Sequence, residues 1–214
     1  LLRASDFDDG LGEKNNPEWK TVAIDDATGA PVAPVGSAGF RWGEKGKWNL
    51  EEKDGAGVPV TLRMTAILDD KHDAVVDVSF PYFGNREHDY FKGTNHSGVL
   101  NRRVPVREIK LKEGDAYVAS VFDLLCANYG LDRGLGGKNV ATDYSDDVPY
   151  TPGWAEKITG VPADDIIAVA REFAGNAEQT NGKSMVILGA GLNHWYHMDM
   201  NYRGIINLLV MCGC

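Results

Sequence analysis

Cysteine is scarce, long apolar runs are missing, and basic side chains are outnumbered in this chain of 214 residues. Cys126, Cys212 and Cys214 are too few and too unevenly spaced for a disulfide framework. The C-x-C pair lacks a fourth ligand nearby, so the sequence predicts three reduced thiols. No apolar stretch reaches the roughly 18 residues a membrane-spanning helix needs. Lys plus Arg total 22 against 31 Asp plus Glu, a net charge of −9. That balance argues against nucleic acid as a partner, which would require a basic face. There is no low-complexity tract, and Leu1-Leu2-Arg3 has no signal-peptide pattern. The nucleophile elbow, the P-loop and the H-E-x-x-H zinc signature are all missing.

What is present changes character along the chain. Residues 1–20 hold Asp6, Asp8, Asp9, Gly10, Gly12 and Pro17 and predict loop with one helical turn. Strand-like stretches follow at 20–24, 58–65, 74–80 and 104–111, the last forming a hairpin with 117–121 across Glu113-Gly114-Asp115. Between them, Arg41-Trp42-Gly43-Glu44-Lys45-Gly46-Lys47-Trp48 suits a surface hairpin against a partner domain, and Asn101-Arg102-Arg103 suits a solvated loop. Helical spacing then appears at 121–129, before Gly130, and at 152–158, with Thr151 as cap and Pro152 in the first turn. A further helix over 162–174 carries Asp164 and Asp165 where the helix dipole favours them. The apolar run at 184–188 predicts a buried parallel strand. A last helix runs from about 198 to 211, with Met198 and Met200 as core filler. The fold class is therefore α/β: a strand- and loop-rich region over 1–120, then an α/β cofactor-binding unit over 121–214. The apolar stretch at 205–214 stops without a polar cap, as a piece of a longer protein would.

The junction between strand and helix, Gly189-Ala190-Gly191-Leu192-Asn193, carries the most chemistry. Glycines after a strand let main-chain N–H groups approach a phosphate or a heterocycle, or simply make a tight turn. His194 stands where a dinucleotide fingerprint would have its third glycine. His194 and His197 are spaced for a metal pair or for hydrogen-bonded histidines beside a pocket. Trp195 and Tyr196 suit stacking or packing. Asp143, Asp146 and Asp147 lack the spacing of a calcium loop. From the residues alone, an α/β nucleotide- or cofactor-binding piece follows, and no reaction.

Several phrases together resemble one family. They are Asn15-Asn16-Pro17-Glu18-Trp19-Lys20, Gly39-Phe40-Arg41-Trp42-Gly43-Glu44-Lys45-Gly46-Lys47-Trp48, Tyr150-Thr151-Pro152-Gly153-Trp154 and Gly189-Ala190-Gly191-Leu192-Asn193-His194-Trp195-Tyr196-His197-Met198-Asp199-Met200-Asn201-Tyr202-Arg203-Gly204. They are similar to the catalytic α subunits of membrane-bound respiratory nitrate reductases, in the molybdopterin oxidoreductase (dimethyl sulfoxide reductase) superfamily. The phrase Ile158-Thr159-Gly160-Val161-Pro162 is common to the whole superfamily. The resemblance implies a fragment of a larger multidomain enzyme that reduces nitrate to nitrite at a molybdenum bis(molybdopterin guanine dinucleotide). Electrons would come from quinol through iron–sulfur clusters, including a 4Fe–4S cluster in the same parent chain. An iron–sulfur β subunit and a quinol-oxidising membrane γ subunit would be partners, at the cytoplasmic face of the membrane. By the same resemblance Gly189, Ala190, Gly191, Asn193 and His194 are the cofactor contacts. The family's molybdenum-ligating aspartate and cluster ligands match nothing here, so the fragment alone is expected to be inactive. Formate dehydrogenase and a stand-alone nucleotide-binding module are the competing expectations.

Overall fold

The computed structural model describes residues 2–7, 11, 22–35, 51–61, 68, 71–82 and 98–214. Trp42 to Trp48 and half of the stretch expected as a strand at 58–65, residues 62–65, lie outside the described residues. The chain forms two compact units, Leu1–Val140 and Ala141–Cys214. Helices and sheets are mixed, so the fold class is α/β.

In the first unit, β1 (Ala23–Ile24) and β2 (Pro31–Val32) pair antiparallel around a turn held by Asp25. The Asp25 carboxylate accepts from the Thr28 hydroxyl at 2.6 Å and from the Thr61 N–H at 3.0 Å. The larger sheet has the order β3-β4-β5, all antiparallel: β3 (Ala74–Tyr82), β4 (Gly98–Leu111) and β5 (Gly114–Val118). The expected hairpin is present, but its turn is Lys112-Glu113, with Leu111 opposite Gly114, and its second strand is Gly114–Val118 rather than 117–121. Helix α1 (Val121–Tyr129) lies on β4 and ends at Gly130 in the left-handed region.

Period-two alternation decides what this sheet buries. Leu100, Arg102, Val104 and Val106 of β4 are buried, and Ala74, Val76, Val78 and Phe80 of β3 pack on the same side. Val104, Val106 and Ala127 of α1 form the centre of the core. Removing either valine side chain from water contributes about 1.5–3 kcal/mol.

Asn101-Arg102-Arg103 is not a solvated loop. It lies inside β4, where Arg102 is 1% exposed and Arg103 is exposed. Two adjacent strand residues point to opposite faces, so a charge pair cannot keep both members in water. The inward one donates from Nη1 to the Ala127 carbonyl at 3.0 Å. A cation thereby sits at the C-terminus of α1, where the helix dipole favours it.

The second unit begins with a loop of local carboxylate caps. Asp146 accepts from the main-chain N–H of Thr142 at 2.8 Å and of Asp143 at 3.0 Å, and Asp143 accepts from the Ser145 hydroxyl. Thr151 caps α2 (Pro152–Thr159), as its sequence predicts. Helix α3 (Ala163–Thr180) runs further than the expected 162–174, through Gly175 to a left-handed Asn181. The four-residue α4 (Ala190–Asn193) and then α5 (Met198–Cys212) follow.

The expected strand at 184–188 is not one. It belongs to no sheet among the described residues, and Met185 and Ile187 are 78% and 85% exposed. A strand is completed by a neighbour, and none of the described residues supplies it.

The carboxylate caps carry a pH signature. Main-chain N–H groups of Thr142 and Asp143, with the Thr142 hydroxyl, hold Asp146 below its ordinary 3.8. Hydrogen bonds from the Ser145 side chain and main chain do the same for Asp143, and the Thr28 hydroxyl leads for Asp25. A depressed carboxyl stabilises the fold above its unfolded value, and that contribution is lost as pH falls through the folded value. Protection of the amides at 142–146, relative to their intrinsic exchange rates, should therefore be unchanged at pH 5 and fall only below about 3.8. Loss of protection already between pH 7 and 5 would contradict this assignment.

Candidate functional site

The segment linking residue 189 to α5 is built from short-range bonds. Gly189 precedes α4 with extended backbone (φ −129°, ψ −173°), and its carbonyl accepts from Leu192 N–H at 3.3 Å. Trp195 N–H donates to Leu192 O and Met198 N–H to Trp195 O, both at 3.2 Å. These turns carry the chain from α4 into α5. The Tyr202 hydroxyl, one turn into α5, donates to Asn193 Oδ1. Tyr196 and His197 meet edge to face at 4.6 Å between ring centroids.

Gly189, Ala190, Gly191, Asn193 and His194 are thus exposed within one six-residue stretch, interrupted by the half-buried Leu192. Neither Gly189 nor Gly191 has a left-handed backbone. A β-carbon at either position would meet nothing within 4 Å. The backbone and the packing of this unit would accept a larger residue at both positions. Glycine there leaves main chain bare on an open surface, where a flat or anionic group can come close.

Around this turn the surface is apolar. Trp195 is 61% and Tyr196 93% exposed. Met198 and Met200, expected as core filler, are 44% and 54% exposed. They occupy the first turn of α5, where residues 198–201 are all exposed.

The turn offers main-chain donors, an Asn193 side chain oriented by Tyr202, and the His194 ring. With its oxygen engaged, the Asn193 amide has N–H donors to present to an acceptor-rich ligand. Such a set binds and orients; it contains no nucleophile held by a base. Among the described residues no three His, Cys, Asp or Glu side chains cluster as metal ligands would. No helix among them is long and apolar enough to cross a membrane.

Two partnerships escaped the sequence reading. Tyr202 reaches Asn193 across nine positions and two helices, a spacing no periodic pattern carries. The buried Asp123, joined to Arg133, was signalled only by Ser120-x-x-Asp123, a capping pattern before an apolar run.

No protein-family profile matches the chain. Among curated proteins it is 57% identical over 215 residues to the respiratory nitrate reductase 2 alpha chain of Escherichia coli K12, and 54% identical to the respiratory nitrate reductase 1 alpha chain of that strain. Each match covers 100% of this chain and 17% of the relative. The nitrate reductase alpha chain of Bacillus subtilis 168 is 37% identical over 205 residues, 95% of this chain and 16% of the relative. The chain spans about a sixth of the length of these relatives.

Proposed function

We propose that this chain, which belongs to the nitrate reductase alpha-chain family, is an internal segment of a molybdenum-dependent nitrate reductase catalytic subunit and forms part of its cofactor cradle. The similarity over all of the chain, at 57% identity, carries this reading. The open glycine turn at 189–191 adds to it, because this unit's own packing does not require glycine there.

In this reading the exposed turn faces one dinucleotide of a molybdenum bis(molybdopterin guanine dinucleotide). The residues fit such a group: bare main chain at Gly189, Ala190 and Gly191 admits a flat or phosphorylated edge, and Asn193 and His194 offer side-chain hydrogen bonds. When bound, the group supplies the two-electron chemistry that takes nitrate to nitrite. The chain's part is to hold and orient it. An iron–sulfur β subunit and a membrane γ subunit that oxidises quinol would deliver electrons through iron–sulfur clusters, at the cytoplasmic face of the membrane. The division into a strand-rich 1–120 and a cofactor-binding 121–214 belongs to the same proposal.

The test uses the full-length alpha chain. It should reduce nitrate with an artificial electron donor, whereas the 214 residues alone should not. The β-carbon of Gly191→Val meets nothing within 4 Å in this unit, so the variant should fold. Against a closely approaching ligand the added methyl groups cost about 1–3 kcal/mol. Guanine nucleotide released from the denatured protein, and nitrate reduction with it, should fall by roughly tenfold or more. A variant with full nucleotide content would remove Gly191 from the site, and a full-length chain inert towards nitrate would remove the function.

A further inference from the structure

We infer that Tyr202 is a positioning residue: it locks the Asn193 side chain so that only N–H donors face outward, and the turn thereby selects acceptor-only groups of the cofactor, a diphosphate oxygen or the O6/N7 edge of guanine. The inference rests on the reading of residues 189–194 as a cofactor-facing turn.

An exposed asparagine has no fixed polarity. Its terminal torsion is broad and roughly two-fold, so the amide offers its oxygen or its nitrogen with similar ease. Here the choice is made locally. Asn193 is the last residue of α4 and is exposed, whereas Tyr202 is half-buried in α5. The Tyr202 hydroxyl donates to Asn193 Oδ1, and among the described residues nothing accepts from Asn193 Nδ2. The phenol ring is rigid, and the start of α5 that carries it is pinned. Met198 N–H donates to Trp195 O and Asn201 N–H to His197 O, both at 3.2 Å. The hydroxyl therefore meets the amide from one side, and the nitrogen is turned to the other.

A donor-only amide discriminates by chemistry. Guanine presents two acceptors, O6 and N7, on one edge, whereas adenine sets an N6 donor beside its N7 acceptor. An asparagine with both ends available matches adenine, one donor and one acceptor together. With Oδ1 occupied by Tyr202 that match is lost, and the remaining N–H groups suit guanine or a diphosphate. The stretch 189–202 holds no Lys or Arg, so recognition there falls to neutral donors and the orientation of one amide weighs more. Trp195 and Tyr196, two and three positions beyond Asn193, add exposed aromatic surface on which a base can stack.

Tyr202→Phe removes the hydroxyl and keeps the ring, so the packing of α5 is retained. In the cofactor-loaded full-length alpha chain, guanine dinucleotide should leave the native protein about tenfold faster than from the unsubstituted chain. Asn193→Leu should do the same. The double substitution should release it no faster than Asn193→Leu alone, because the two side chains act as a unit. A merely structural tyrosine would add its loss to that of Asn193→Leu, and that result overturns the proposal. Phosphorus NMR of the oxidised, loaded protein tells the two acceptors apart. Tyr202→Phe shifts a diphosphate signal if phosphate is the acceptor, and leaves the diphosphate signals in place if guanine is. If Asn193→Leu speeds release and Tyr202→Phe does not, only the positioning role fails. If the full-length chain holds no guanine dinucleotide, or if Gly191→Val, Asn193→Leu and Tyr202→Phe all leave its release unchanged, the cofactor reading itself fails.

Discussion

Asp123→Ala is expected to destabilise the first unit by about 3–5 kcal/mol, the cost of leaving a buried charge without its partner. The Asp123 side chain is 0% exposed and pairs with Arg133, whose side chain is 11% exposed. Its other contacts are with the Ser120 hydroxyl and, at 3.3 Å, with Leu68 N–H. Its own N–H donates to Ser120 Oγ at 2.9 Å, closing the first turn of α1. One carboxylate therefore caps a helix, holds the 68 position and neutralises an arginine. Denaturant unfolding of the substituted protein should show the loss as a shifted midpoint with an unchanged slope. Removing both charges, as Asp123→Ala with Arg133→Met, should recover a large part of it, because a buried pair costs far less to delete than to break. A single substitution costing under about 1 kcal/mol would mean that water reaches Arg133 and that the pair is a surface one.

Gly130→Ala comes next, at about 2–4 kcal/mol. Gly130 ends α1 with φ +70°, where a β-carbon costs about 1–2 kcal/mol. That carbon would also lie 1.9 Å from Arg102 Nη1 and 2.6 Å from Cζ. The guanidinium must move, and at 1% exposure it has little room to do so. It would give up the Ala127 carbonyl, and a hydrogen bond to a charged group is worth about 1.5–3 kcal/mol. The two causes separate in a cycle. With Arg102→Met already in place, Gly130→Ala should cost only the backbone part, about 1–2 kcal/mol. Equal costs in both backgrounds would show that the clash is relieved without loss.

The residues that were legible in the sequence are those whose partners are close along the chain. Thr151 with Pro152 and Gly130 after α1 act within a few positions and stand where the pattern puts them, and the turn between β4 and β5 falls at 112–113 rather than 113–115. Arg102 was misread because its fate depends on β3, paired with it through Val78. Without that register, two adjacent arginines look like solvent. Residues 184–188 show the converse. Their composition describes a buried strand, yet they join no sheet among the described residues, and Met185 and Ile187 are exposed. For the candidate site, the glycines were visible, but 190–193, read as a turn between a strand and a helix, fold as the four-residue α4. The link from Tyr202 to Asn193 was not visible, since it arises only once two helices have folded back on each other.

The layout of the larger sheet has a consequence for the order of assembly. β4, β5 and α1 follow one another without interruption from Gly98 to Tyr129, so the hairpin and the helix that covers it close only short loops. β3 is older on the growing chain, yet it finds its place only when β4 appears, and Leu68 reaches Asp123 across 55 positions. Local closure is cheap in chain entropy and distant closure is slow. The middle of the sequence is thus the seed of the first unit, and the earlier strand anneals backwards onto it. A nascent chain that has exposed β3 but not yet β4 carries the alternating apolar edge of Ala74, Val76, Val78 and Phe80 with nothing to cover it. That interval is when this unit is most open to aggregation.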